Sequence, residues 1–463
     1  MIKSLLTYFL LTSILLLTSC KSDTKNNDTY FGGKIINPKS NFVVLYSMDK
    51  VVDTMFLGKD NKFLGTLKNT KEGLYYFVHG NENQYIYLEP QDSLMLRLNT
   101  WDFDESIVFA GKGAERNNIL IDCFLEDEKE NKMFYNLYKL DAATFLKKTD
   151  SLLIKKEKTY QDYVSNHSEE TANYKHILKI ALTYPIYSRI ERYPIANLKY
   201  HNYLNLSPLD DQFFKHRVLT NIENDSLMYY PPYTQYVRNF LYNSTYKLGH
   251  KPMLDEYSSE FTVDLLNIIS ENIKSNSSKN AFLKQTVIGH FFKKASCNIN
   301  EETFNTYFKL SNNVEDKNLV ANLLKDAKTL HKGLLLPNFK VHNFKNETIN
   351  SHQIIKNNDS FLFFWNPEYV SPSYISSRIG YLSKKLPNIK FITIRIDGNI
   401  NSKISNLDIK NQFFITSKNP ANSFLTSKMP RSILINSKGI ITNGFSSITS
   451  KNLTTELATI SKH

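Results

Sequence analysis

Residues 360–397 read SFLFFWNPEYVSPSYISSRIGYLSKKLPNIKFITIRID, and this stretch decides the class of the C-terminal fold. Residues 361–365 are an unbroken apolar run, short enough for a strand and apolar on both faces, as a strand inside a covered sheet must be. After a loop holding Pro367 and Pro372, residues 373–386 take helical spacing, and residues 390–397 form a second strand rich in β-branched side chains. Farther on, MPRSILINSKGII at 429–441 gives strands at 431–436 and 440–444 around the turn Ser437-Lys438-Gly439, and residues 452–460 close as a helix. Strands alternating with helices predict an α/β layer.

Upstream the pattern changes. Residues 114–330 carry apolar side chains three and four apart: Phe145, Leu152, Leu153, Tyr160 and Tyr163 share one helix side, and Leu319, Val320, Leu323, Leu324, Ala327 and Leu330 another. Gly333 and Pro337 end the last helix. Tyrosines crowd TYPIYSRIERYPIANLKYHNYLN at 183–205 and MYYPPYTQYVRNFLYNSTY at 228–246, where they serve either helix packing or a stacking surface for peptide or sugar. Residues 30–113 instead show short β-rich runs at 42–46, 51–56, 74–78, 85–88 and 94–98, with turn residues at 58–61, 71–73 and 90–92, predicting an antiparallel β-domain.

The chain opens with Lys3 and an apolar run from Leu5 to Leu17. That is the length of a signal-peptide core and short of the about 20 residues that span a bilayer. The run ends in Leu17-Thr18-Ser19-Cys20, which resembles a bacterial lipobox. The resemblance implies cleavage before Cys20, a lipid on its thiol, and permanent membrane attachment. The expected layout is a signal peptide at 1–19, a tether at 20–29, a β-sandwich at 30–113, an all-α domain at 114–330 and an α/β domain at 331–463. Lys21 follows the lipidated residue where an Asp would favour inner-membrane retention, so the expected location is the outer membrane facing the periplasm.

The 463 residues include 41% hydrophobic and 13% aromatic side chains, which rules out wholesale disorder, and three cysteines, which rule out a disulfide-dense scaffold. The net charge of +12 is localised: residues 1–330 hold 40 Lys+Arg against 39 Asp+Glu, residues 331–463 hold 17 against 6. With few arginines and no sequence-reading motif, nucleic acid is not an expected partner. The mature chain keeps Cys123 and Cys297 beside Cys20, either paired or buried as small apolar residues. The histidines show no ligand spacing, so neither metal nor cofactor is expected.

LPNFKVHNF at 336–344, the stretch 360–397 and MPRSILINSKGII together resemble the TlpA/ResA-type thioredoxin-like family of exported bacterial proteins, over roughly the last 130 residues. YLEPQDSL at 87–94 and SIVFAGKGAERNNIL at 106–120 resemble a small β-sandwich that precedes such domains in exported lipoproteins. In that family a strand ending in Phe-Trp is followed by a Cys-x-x-Cys pair opening a helix, whose positive end lowers the first thiol's pKa. Aligned on Phe364 and Trp365, the thiol positions are occupied by Tyr369 and Pro372, and the acid of thioredoxin proper by Phe363. A phenol of pKa about 10 and a proline ring cannot exchange disulfides. Ser371 or Ser373 as a nucleophile would need a positioned base, Glu368 being the only one nearby, and Ser371 is read as a helix cap instead. The family's proline, typically cis, maps to Pro430.

The expectation is therefore a redox-inactive protein of the cell envelope that binds a peptide or protein, or scaffolds an assembly. Trp365, Tyr369, Met429 and Pro430 are expected to line a peptide groove, with Lys428 and Arg431 favouring acidic segments. Two alternatives stay open: a thiol-disulfide oxidoreductase using Cys123 and Cys297, and a glycan-binding lipoprotein using the middle tyrosines.

Overall fold

The computed structural model describes residues 28–295, 299–345, 347–398, 409–450 and 452–460. The expected signal peptide, Cys20 and Cys297 lie outside the described residues. The chain divides into two compact units: the first holds the described residues up to Tyr200 with Asp210–Val218 and Ser226–Asn239, and the second holds His201–Leu209, Leu219–Asp225 and everything from Phe240 onward.

In the first unit the strands are β1 (Thr29–Ile36), β2 (Phe42–Ser47), β3 (Lys50–Phe56), β4 (Lys62–Leu67), β5 (Gly73–His79), β6 (Glu82–Leu88), β7 (Ser93–Asn99) and β8 (Val108–Ala110). They form two four-stranded sheets, β4-β1-β7-β8 and β3-β2-β5-β6. Alternation sets which face is covered: along β4, Phe63, Gly65 and Leu67 turn inward while Lys62, Leu64 and Thr66 face out. Inward side chains of both sheets, among them Phe31, Val43, Phe77, Ile86 and Leu96, share one apolar core. The expected all-antiparallel pattern is corrected at one pair, because β1 runs parallel to β7 with Tyr30 beside Ser93.

Three helices complete this unit's regular structure to His201: α1 (Ala114–Leu137), α2 (Ala142–Asn166) and α3 (Ala172–His201). Arg116 of α1 is buried and pairs with Glu89 at 2.8 Å, Asp92 at 3.2 Å and Glu170 at 3.3 Å. Asn117 donates to the Tyr87 carbonyl at 2.9 Å and accepts from the Tyr87 amide at 2.7 Å, so α1 extends the hydrogen bonding of β6. On α3, buried Glu191 accepts two bonds from Arg217 at 2.7 Å and lies 2.9 Å from His216 Nε2. Burial alone would raise this carboxyl, but donors from Arg217 and His216 outweigh it and hold the pKa at about 2.

The helical stretch 114–330, expected as one domain, is divided: α1 to α3 belong to the first unit, and α4 (Pro231–Tyr246) carries the chain into the second. The physical reason is that α1 to α3 bury their apolar sides within the first unit, whereas the later helices bury theirs within the second. These are α5 (Ser259–Asn272), α6 (Asn276–His290), α7 (Glu301–Leu310) and α8 (Val314–Thr329). Ser258, Asn300 and Asn313 cap α5, α7 and α8, each side chain accepting the amide three residues on.

The second unit's strands are β9 (Lys340–His342), β10 (Thr348–Asn350), β11 (Ser360–Trp365), β12 (Lys390–Arg395), β13 (Gln412–Phe414), β14 (Arg431–Ile435) and β15 (Ile441–Ser446), with helices α9 (Ser351–Ile355), α10 (Pro372–Lys385) and α11 (Leu453–Thr459). They make one sheet in the order β10-β9-β13-β12-β11-β14-β15. Central β11 pairs parallel with β12 and antiparallel with β14. Its six residues are all buried because one face meets Ile392, Ile433 and Phe424 and the other meets Ile375, Ile379 and Leu382. The elements expected at 361–365, 373–386, 390–397, 431–436, 440–444 and 452–460 are all present, and β9, β10 and β13 add to them.

Candidate functional site

The loop joining β11 to α10 occupies the place where the resemblance would put a dithiol. Asn366 shapes it: its side-chain oxygen accepts from the Glu368 amide at 3.1 Å, and its carbonyl accepts from Tyr369 at 3.0 Å and Val370 at 3.1 Å. Ser371 then caps α10, its hydroxyl accepting from the Tyr374 amide at 3.3 Å, and Pro372 takes the first helical position, where a missing N–H costs nothing. The hydroxyl expected as a cap is thus engaged as one. Tyr369 is 39% exposed. Burial of part of its ring and the neighbouring Glu368 carboxylate push the phenol above its ordinary value, so it is protonated at neutral pH. Neither position holds a nucleophile.

The four groove residues do not form an open groove. Trp365 is 2% exposed, packed with Phe361, Phe363, Ile375 and Ile379 in the core. Met429 is buried, Pro430 is half-buried, and Tyr369 is the one exposed member of the four. No peptide bond among the described residues is cis, that of Pro430 included. Strand addition beside Pro430 would need free backbone donors, and those of the preceding loop are engaged. The Thr426 and Ser427 amides donate to the Asp326 carboxylate at 2.7 and 2.8 Å, Lys428 donates to the Leu425 carbonyl at 3.1 Å, and Met429 to the Ser427 hydroxyl at 3.2 Å.

The two cations expected to attract acidic segments are also engaged. Lys428 is exposed and lies 2.6 Å from Asp397, whose hydrogen bond raises the ammonium's pKa. Arg431 is corrected outright: at 1% exposure its guanidinium donates to the Gly444 carbonyl at 2.8 and 2.6 Å and to the Phe424 carbonyl at 2.5 Å, between the rings of Phe424 and Phe445. Burial pulls it down to about 10, so it stays charged at neutral pH. It is a structural residue that ties β14 to its surroundings.

Cys123 is a free, buried cysteine, and burial pushes its thiol up to about 12, the opposite of an activated nucleophile. Its proposed partner Cys297 lies outside the described residues. The tyrosines read as a stacking surface are largely core: Tyr184, Tyr187, Tyr193, Tyr233 and Tyr236 are all buried. No cluster of His, Cys, Asp and Glu fit to hold a metal occurs among the described residues.

Asp326 went unnoticed in the sequence. It is a buried carboxylate on α8 that clamps the loop before Pro430, accepting the hydroxyls of Thr426 and Ser427 as well, each at 2.7 Å. The signal was present, since Asp326 sits three after Leu323 and four before Leu330, an acid within the apolar stripe that needs buried partners. The same helix side presses on β15. A Cβ on Gly444 would stand 2.0 Å from the Leu330 carbonyl, and residues 333–336 pair along β15, Leu336 donating to Gly439 at 3.0 Å and Ile441 to Leu334 at 2.8 Å. The start of the β15 edge is therefore covered by the chain's own preceding segment.

No protein-family model and no curated protein matches the chain. Among solved structures, the chain is similar to a Bacteroides vulgatus protein assigned as a thiol-disulfide oxidoreductase, at 18% identity over 29% of this chain and 99% of that one, with a TM-score of 0.24. A Chlorobium tepidum protein assigned as thiol:disulfide interchange protein DsbE shares 16% identity over 28% of this chain and 99% of its own, with a TM-score of 0.25. A secreted Mycobacterium tuberculosis disulfide oxidoreductase shares 12% identity over 26% of this chain and 94% of its own, with a TM-score of 0.20.

Proposed function

We propose that this chain is a lipid-anchored protein of the cell envelope whose thioredoxin-like domain has lost redox chemistry and serves protein or peptide binding, or scaffolding. The observation that carries the reading is the amino end of α10, where Tyr369 and a Ser371-Pro372 cap stand in place of two thiols. Cys123, buried with a raised pKa, gives the thiol-enzyme alternative no support. The filled Pro430 loop favours side-chain recognition over strand addition. Tyr369, Tyr374 and Tyr381 are all exposed, and the last two stand seven residues apart on one side of α10. Aromatic side chains exposed together in this way suit a protein partner.

Two experiments test the reading. The form lacking residues 1–20 is expected to reduce insulin disulfides no faster than buffer with dithiothreitol; thiol-dependent turnover overturns it. A photo-crosslinking residue at Tyr381, in living cells, is expected to join the chain to a defined envelope protein. Recovery of that product unchanged when Tyr374→Ala and Tyr369→Ala are combined with it overturns the assigned surface. Membrane attachment has its own check: Cys20→Ala is expected to release the chain into the soluble fraction.

A further inference from the structure

We propose that a cavity in the first unit is a binding site for a sugar bearing a carboxylate. The inference does not depend on the redox reading above. The cavity has a volume of about 520 Å³ and is walled by β6, α1, α3 and the first turns of α4. Small-molecule sites typically enclose roughly 300–1,000 Å³.

Its wall carries three features that call for a ligand of that chemistry. The first is a backbone acceptor. Pro185 lies inside α3 and has no N–H to give the carbonyl four residues earlier, that of Ala181, and both residues line the cavity. The second is a side-chain acceptor. Asn239 donates to the Ser188 hydroxyl at 2.8 Å and the Ser188 carbonyl at 3.2 Å, leaving its side-chain oxygen for a donor. Two acceptors on one wall select hydroxyl groups and disfavour a lipid.

The third feature is a guanidinium. Three charged side chains line the cavity, and two of them pair: Arg189 donates to the Asp127 carboxylate at 2.5 Å and to its carbonyl at 2.9 Å. Arg192 stands three residues along the same side of α3, 5.9 Å from the centre of the Tyr138 ring, and no carboxylate pairs with it among the described residues. A forked donor with no carboxylate beside it among the described residues suits a ligand carboxylate. Phe124, Tyr138 and Tyr230 add flat apolar faces, on which the C–H side of a sugar ring can lie. Hydroxyls, one carboxylate and an apolar face together describe an acidic sugar.

Titration calorimetry on the purified full chain, with digalacturonic acid, maltose and the dipeptide Ala-Asp as probes, tests the assignment. Digalacturonic acid is expected to bind and the other two to bind at least about tenfold more weakly, the worth of one charge-assisted contact. Arg192→Gln is expected to remove that preference, and Gln235→Trp, on the exposed rim, to block binding while the circular dichroism spectrum stays unchanged. Absence of heat with digalacturonic acid, equal or tighter binding of maltose or Ala-Asp, or binding that survives both substitutions overturns the proposal.

Discussion

Replacing Asp326 with alanine tests whether α8 holds the loop that leads into β14. The carboxylate is 1% exposed and accepts four hydrogen bonds, two from backbone amides and two from hydroxyls, all between 2.7 and 2.8 Å. In the Asp326→Ala variant the two hydroxyls can turn to other acceptors, but the amides of Thr426 and Ser427 cannot leave the loop. Each stranded buried amide costs about 1–3 kcal/mol, so the expected loss is about 3–5 kcal/mol. Asp326→Asn keeps one acceptor oxygen and is expected to lose about half as much. Thr426→Ala leaves both amide bonds in place and is expected to cost less than either. Urea unfolding followed by tryptophan fluorescence in a Trp101→Phe background reads the second unit, because Trp365 lies in its core. A loss below about 1 kcal/mol for Asp326→Ala, or an equal loss for Thr426→Ala, refutes the clamp.

Further outcomes follow from the same geometry. Gly444→Ala places a Cβ against the Leu330 carbonyl and is expected to cost at least about 2 kcal/mol in thermal or urea unfolding; a neutral result means that α8 does not press on β15 as described. The Glu191 carboxyl, held at about 2 against an ordinary value of 4.5, favours the folded state when ionised. Its contribution, roughly 3 kcal/mol, is present above the ordinary pKa and is lost as pH falls from about 4.5 toward 2. Wild type is therefore expected to lose its advantage over Glu191→Gln across that range, and a constant difference argues against it. Cys123 is expected to stay unmodified by a disulfide reagent at pH 8 until the chain is unfolded in urea, and rapid labelling of Cys123 itself, located by peptide mapping of the native protein, contradicts its burial.

How much was legible in the sequence depended on whether a feature was local. The run 361–365 and the spacing 373–386 predicted β11 and α10 almost residue for residue, because apolar period and a proline at the first helical turn are local signals. Ser371 was readable as a cap for the same reason. The short strands β9, β10 and β13 were not, since three residues carry too little periodicity, and their pairing is set by the sheet. Burial defeated the reading of the site. Trp365 and Arg431 look like binding residues by type, yet one fills the core and the other binds carbonyls from residues 7 and 13 positions away. The cavity of the first unit gathers segments between Asn83 and Asn239, a juxtaposition that no local pattern encodes.

The proposed loss of redox chemistry rests on the amino end of α10, where Tyr369 and Pro372 leave no thiol to attack a disulfide. It is tested most directly by comparing wild type with the double variant Tyr369→Cys, Pro372→Cys in a glutathione-coupled exchange assay. Wild type is expected at background, while the variant, with a thiol at the positive end of the capped helix, is expected to gain turnover and a thiol pKa below the ordinary value of about 8.5. Turnover by wild type above background contradicts the proposed loss of redox chemistry.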